Sequence, residues 1–132
     1  MNAFNPHEHG STESLRVLTM IQERGEPVIV PTLLVAEIAA AVARATNDGA
    51  GALRYAQATA ALAHVTFVSL TPTVARQAAE LAVSHRLRGA DAVYLAVARR
   101  YGTTLVSRIE EQRTLGAAVV ICQTPEEALV DG

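Results

Sequence analysis

The sequence predicts an α/β fold of three layers, α/β/α, in which helices cover both faces of a central, mostly parallel sheet. Three observations support this prediction. Short β-rich apolar runs near residues 27–31, 65–69, 103–107 and 117–122 alternate with helical segments, and such alternation is typical of parallel sheets. Half of the residues are hydrophobic but only 4% are aromatic, which favours Ala/Val/Leu helices on a β-branched sheet. The helix that begins near Asp91 is apolar on nearly every face, which is typical of a buried helix.

The composition indicates one soluble domain over residues 1–132, a length that can bury a single core. The net charge of −2 and the isoelectric point near 6.1 argue against a protein that coats nucleic acid through bulk positive potential. No run approaches the roughly 18 apolar residues of a membrane span, and the first ten residues lack signal-peptide features. The single cysteine, Cys122, excludes an internal disulfide and fits a buried small hydrophobe. We therefore expect a cytoplasmic protein without membrane contact.

Breakers and capping residues divide the first half of the chain. His7 and His9 lie in a loop and are interpreted as solvated residues, because no further metal ligands stand nearby. We expect the following elements here, in order: a loop over 1–10, a helix over 11–24, a strand over 27–31 between two prolines, a helix from Thr32 to near Gly49, and a helix over 52–63.

The second half follows the same alternation. Gly102 is expected to close the buried helix, and Thr124 with Glu127 forms a predicted capping box. We expect these elements, in order: a strand over 65–69, a helix over 73–85 that Thr71 and Pro72 begin, the buried helix from Asp91, a strand over 103–107, a polar helix over 108–115, a strand over 117–122, and a last turn to Val130.

Two carboxylates, Glu37 and Asp91, can point toward one edge of such a sheet. Each also has an ordinary interpretation: Glu37 shares a polar stripe with Arg44 and Asp48 that could face water, and Asp91 could be a helix N-cap. The chain has no nucleophile elbow, Walker loop, dinucleotide glycine pattern or Cys/His metal spacing. Converging carboxylates remain, and these bind Mg²⁺ or Mn²⁺, ions that support phosphodiester chemistry.

Two segments, VPTLLVAEIAAAVAR and LRGADAVYLAVARRYGTTLVS, resemble the PIN-domain family, in particular the bacterial VapC-like toxin ribonucleases of type II toxin–antitoxin systems. The resemblance extends over nearly the whole chain. It implies metal-dependent RNA cleavage by about four acidic residues around Mg²⁺ or Mn²⁺, of which Glu37 and Asp91 match two catalytic, metal-binding positions. Ser107 matches a supporting small hydroxyl residue. The implied partners are RNA, a cognate antitoxin and a second copy of the chain.

The chain departs from the family pattern at two places. Family members begin with a central strand that ends in aspartate, whereas residues 1–4 resemble the apolar run after it, so we expect that strand to be missing or replaced, by residues 1–5 or by a partner chain. Ile109 occupies the position of another family aspartate, and Glu110 beside it is a candidate replacement. Arg88 and Arg108 are the expected phosphate contacts. Either an active ribonuclease with an incomplete acidic site or a degenerate, protein-binding PIN-like domain is compatible with this pattern.

Overall fold

The computed structural model describes residues 2–5, 23, 27–107, 110–124 and 127. Within these residues, five parallel strands form one sheet in the order β3-β2-β1-β4-β5. The strands are β1 (Asn2–Asn5), β2 (Val28–Pro31), β3 (Val65–Val68), β4 (Thr104–Ser107) and β5 (Cys122–Gln123). The helices are α1 (Leu33–Thr46), α2 (Gly49–Ala60), α3 (Pro72–His85), α4 (Gly89–Arg100) and α5 (Glu110–Gly116).

The sheet separates two hydrophobic cores, as the sequence predicts for an α/β/α fold. Ile29 and Leu105 belong to the core that α3 and α4 build on one face. Val28, Val30 and Val106 belong to the core that α1 and α2 build on the other. Successive side chains of a strand point to opposite faces, and this alternation explains why β2, which is apolar throughout, contributes side chains to both cores. The predicted three-layer α/β architecture is confirmed.

Residues 2–5 occupy the centre of the sheet. Asn2 and Ala3 pair with Val28 and Ile29 of β2, and the strand pairs with β4 along its length, so that Asn5 lies opposite Ser107. The interpretation of residues 1–4 as the run that follows the central strand is therefore wrong. Of the two ways to fill the gap, the structure uses the chain's own first residues, and the backbone groups of β2 and β4 gain a strand between them.

The boundary between α1 and α2 lies earlier than the predicted glycine break. Asn47 ends α1 in the left-handed conformation, with φ of 54°, which asparagine tolerates better than most residues. Asp48 then caps α2, since its carboxylate accepts a 3.0 Å hydrogen bond from the Gly51 amide. Gly49 and Gly51 are consequently helical residues of α2, because a good N-cap outweighs their weak helix propensity.

The α4 helix begins at Gly89, with Arg88 in the N-cap position. Asp91 is therefore a residue of the first turn, and its interpretation as the N-cap is wrong. At the other end, Gly102 adopts a φ of 61°. The amides of Gly102 and Thr103 donate to the carbonyls of Arg99 and Ala98, which is the Schellman arrangement expected of a terminating glycine.

The carboxyl-terminal strand is shorter than expected. Residues 117–120 form turns in which the amides of Val119 and Val120 both donate to the Gly116 carbonyl, so only Cys122–Gln123 pairs with β4. The predicted capping box is confirmed by reciprocal hydrogen bonds between Thr124 and Glu127, at 3.0 and 3.1 Å. The helix predicted over 11–24, apart from Glu23, and the histidine-containing loop lie outside the described residues. In the described part of the chain, no helix is long and apolar enough to cross a bilayer.

Candidate active site

A hydrogen bond between α1 and α4 marks the candidate site. The Tyr94 hydroxyl donates to Oε1 of Glu37 at 2.5 Å. The two helices belong to opposite layers, but α1 starts where β2 ends and α4 leads back to the start of β4. Both helices therefore begin at the carboxyl edge of the sheet, where ligands of such folds bind. Glu37 is half-buried and bonded to Tyr94, whereas Arg44 and Asp48 of its stripe are exposed. The interpretation of Glu37 as a solvent-facing residue is therefore wrong.

Asp91 lies one helical turn before Tyr94 and is only 3% exposed. Residues three positions apart lie on the same side of a helix, so Asp91 and Tyr94 face the same region. Burial raises the pKa of the Tyr94 hydroxyl most, and the negative charges of Glu37 and Asp91 raise it further. One phenol therefore lies within electrostatic reach of the two carboxylates that the sequence singled out.

Tyr94 is a neutral hydrogen-bond donor. Its side chain is completely buried, and its pKa is raised well above the usual value, first by that burial and then by the charge of Glu37 and its hydrogen bond to that carboxylate. All three causes penalise the phenolate. Near neutral pH the hydroxyl consequently stays protonated and donates a hydrogen bond to Glu37.

The raised pKa of Tyr94 predicts a loss of stability at alkaline pH. The folded protein retains a proton that the unfolded chain releases above about pH 10. The ionisation of Tyr94 should thus leave the free energy of unfolding independent of pH below about pH 10 and should lower it by about 1.4 kcal/mol per pH unit above that pH, toward the folded-state pKa. Urea unfolding between pH 9 and 11 measures this slope. The slope should be smaller in Tyr94→Phe, and equal slopes in both proteins would contradict the prediction.

A buried glutamine ties α5 to the start of α4. Gln112 is fully buried, and its Nε2 donates a 2.8 Å hydrogen bond to the backbone carbonyl of Asp91. This contact holds the first turn of α5 against the helix turn that carries the buried carboxylate. Because Glu110 begins α5 only two residues earlier, its backbone lies in the same neighbourhood, while its side chain lies outside the described part.

The other predicted site residues are placed less fully. Arg88 is exposed and immediately precedes α4, three residues before Asp91. Ser107 is the last residue of β4 and pairs with Asn5 at the carboxyl end of the central strand; its side chain is not among those described. Arg108 and Ile109 lie outside the described residues. Thus the structure bonds Glu37 to the Tyr94 hydroxyl, places Asp91 one helical turn before Tyr94, and places Ser107 and Glu110 by backbone alone.

The donor chemistry of the site suits a hard divalent cation. Glu37 and Asp91 supply carboxylate oxygens, the ligands that Mg²⁺ and Mn²⁺ prefer. Within the described residues, however, no three His, Cys, Asp or Glu side chains lie close enough together to hold a metal ion. A cation held by these two acids would need water, or groups beyond the described side chains, for its remaining ligands.

Sequence reasoning missed two residues of this site. Tyr94 carried a usable signal, since a phenol in an otherwise apolar buried helix needs a hydrogen-bond partner, and Asp91 stands on the same side of that helix. Gln112 carried none, because it lies in the polar run RIEEQRTL, where every polar residue looks solvated.

The PIN domain family model matches residues 2–116. This chain belongs to the PIN domain family, a nuclease-type α/β fold whose members generally bind divalent metals and typically act on RNA. The match begins at the first residue of β1 and ends at the last residue of α5, so it contains all the elements that form the candidate site. No curated protein gave a significant match to the chain.

Proposed function

We propose that this chain is a Mg²⁺- or Mn²⁺-dependent endoribonuclease. The observation that carries the proposal is the contact of Tyr94 with Glu37, since it brings the carboxylate of α1 beside the helix turn that holds Asp91. The two acids lie 54 residues apart in sequence, and the helices that carry them, α1 and α4, both begin near the carboxyl edge of the sheet. Membership of a nuclease-type family supports the same reaction class.

In this proposal Glu37 and Asp91 hold the cation. A bound divalent ion supplies neutralisation of phosphodiester charge and an acidified water. The protein's own contribution is to fix the two acids on helices of the packed core and to keep Tyr94 protonated beside Glu37. Arg88, exposed at the start of α4, is the proposed contact to RNA phosphate, for which the planar guanidinium is well suited.

Residues around β4 complete the proposed site. Glu110 is the proposed third carboxylate, in support of which its backbone lies two residues before Gln112, the residue bonded to Asp91. Ser107 is the proposed supporting hydroxyl at the end of β4, and Arg108 is a second proposed phosphate contact. The family pattern motivates the assignments of Glu110 and Ser107, and the planar guanidinium motivates that of Arg108.

The proposed biological setting is the toxin component of a cytoplasmic toxin–antitoxin pair. The protein partners in this setting are a cognate antitoxin and a second copy of the chain. The resemblance of the Glu37 and Asp91 segments to VapC-like toxins supports this setting.

Metal removal tests the proposed reaction. A structured RNA incubated with the purified protein should be cleaved with Mn²⁺ or Mg²⁺ and should remain intact in EDTA, and cleavage should return when Mn²⁺ is restored in excess. Cleavage that persists in EDTA would point to a contaminating nuclease. An RNA left intact at every metal concentration would exclude the proposed reaction for that RNA, and the test is therefore run on a mixed pool of structured and single-stranded RNAs.

The second candidate function is a catalytically degenerate domain that acts by binding protein. One observation favours it: the described side chains contain no group of three potential metal ligands. Under this alternative, Mn²⁺ would not change the thermal unfolding midpoint, while sedimentation would still show a dimer. A midpoint that rises with Mn²⁺ concentration in the intact protein, but not after Asp91→Asn, would exclude the alternative.

A further inference from the structure

Tyr94 has a specific place in the candidate site. Its hydroxyl contacts Oε1 of Glu37, while its ring is enclosed in the core between the sheet, α3 and α4. We infer that Tyr94 is a positioning residue, which orients the Glu37 carboxylate so that it and Asp91 bind one divalent cation together. The inference rests on the proposed function and adds to it a residue that is not itself a metal ligand.

The two partners differ in how firmly they are held. The tyrosine side chain is fully buried and belongs to the same hydrophobic core as Val74 of α3 and Leu105 of β4, so its hydroxyl has a fixed position. Glu37 is half-buried in the second turn of α1, and a glutamate side chain has several rotamers that must be restricted before it can serve as a ligand. A rigid donor that selects one of these rotamers reduces the ordering that metal binding requires.

The chemistry of the donor also matters. A lysine or arginine beside Glu37 would offset the negative charge that attracts a cation. A protonated phenol fixes the carboxylate by a hydrogen bond and adds no positive charge. Groups that hydrogen-bond to metal-ligating carboxylates orient them in this way, and their removal usually weakens metal affinity 10- to 100-fold.

Tyr94 also relates the two acids to each other. It lies one helical turn after Asp91 on α4, and its bond to Glu37 joins α4 to α1. The spacing between the Glu37 and Asp91 carboxylates therefore depends on this contact as well as on the packing of the two helices. Loss of the hydroxyl should loosen that spacing without removing either acid.

A double-mutant cycle tests the inference by Mn²⁺ affinity, measured by electron paramagnetic resonance of free Mn²⁺. Tyr94→Phe removes only the hydroxyl and should weaken Mn²⁺ binding about 10-fold. Glu37→Gln should weaken it further, and the double variant should bind no more weakly than Glu37→Gln alone. Such non-additivity indicates that Tyr94 acts through Glu37. Tyr101→Phe is the matched control, because Tyr101 is half-exposed at the end of the same helix; its affinity should equal that of the unmodified protein.

The outcomes separate the inference from the function on which it rests. Unchanged Mn²⁺ affinity in Tyr94→Phe, or a loss that adds fully to that of Glu37→Gln, would overturn the role of Tyr94 and leave the metal site intact. Absence of Glu37-dependent Mn²⁺ binding in the unmodified protein would overturn the proposed function itself, and the inference with it.

A second measurement uses the unmodified protein and does not depend on the folding of any variant. The chain has three tyrosines, which can be labelled with ¹³C at Cζ and followed by nuclear magnetic resonance during a Mg²⁺ titration. The Tyr94 resonance should shift in proportion to Mg²⁺ occupancy, and that of Tyr101 should stay fixed. A Tyr94 resonance that does not move while Mg²⁺ binds would contradict the inference.

Discussion

Asparagine in place of Asp91 is expected to lower Mn²⁺-dependent RNA cleavage by at least about 100-fold, since even groups that only support a metal ligand contribute 10- to 100-fold. The substitution keeps the size of the side chain and removes one unit of negative charge, on which affinity for a hard cation depends. Asp91 is buried at the start of α4, so no solvated neighbour can readily take its place. The initial rate of cleavage at saturating Mn²⁺ measures the effect.

Asp48→Asn is the matched control for this substitution. Asp48 is an exposed N-cap of α2, and asparagine caps a helix about as well as aspartate, so cleavage and stability should both stay close to those of the unmodified protein. Circular dichroism of Asp91→Asn must show the native helix content for the comparison to hold. Full cleavage by a natively folded Asp91→Asn protein would show that Asp91 does not serve the reaction.

Replacement of Gln112 by alanine is expected to lower the free energy of unfolding by roughly 2–4 kcal/mol, because it combines a core cavity with the loss of a buried hydrogen bond. The side chain is fully buried, and its amide bonds the Asp91 carbonyl at 2.8 Å. Mn²⁺ affinity should fall as well, since the contact holds α5 against the turn that carries Asp91. Urea unfolding at pH 7 measures the stability change.

Thr114→Ala provides the comparison within the same helix. Thr114 is exposed on α5, and surface substitutions away from special features usually change stability by less than about 0.5 kcal/mol. A similar decrease in the free energy of unfolding in both variants would mean that α5 is sensitive to any substitution, and that the Gln112 hydrogen bond has no particular importance for stability.

The layers and most strands of this fold could be predicted from local sequence. The positions of β2, which lies between two prolines, and of the apolar helix α4 follow from the hydrophobic pattern and from helix- and strand-breaking residues, both of which act over a few residues. The caps at Thr71, Gly102 and Thr124 are equally local, and the structure shows each of them. The predicted break between α1 and α2 was placed too late in the chain, because two glycines suggested a loop. In the structure, Asn47 ends α1 and Asp48 caps the start of α2.

The central strand could not be placed from local sequence. Residues 2–5 carry a weak β pattern, and only the unfilled gap between β2 and β4 gives them partners on both sides. A strand gains most of its stability from its neighbours, so its position in a sheet depends on what the rest of the chain leaves unpaired. Asn5 consequently ends the central strand, where the family pattern has an aspartate.

For the candidate site, the sequence by itself determined which acids to consider, because residue type and the family pattern single out Glu37 and Asp91 without reference to distance. Only the tertiary structure decided that Glu37 is half-buried and bonded to Tyr94 of α4, and that Asp91 lies in the first turn of α4 and does not cap it. The physical reason is that Tyr94 and Gln112 act across elements far apart in sequence, and contacts of that kind exist only once the layers have packed.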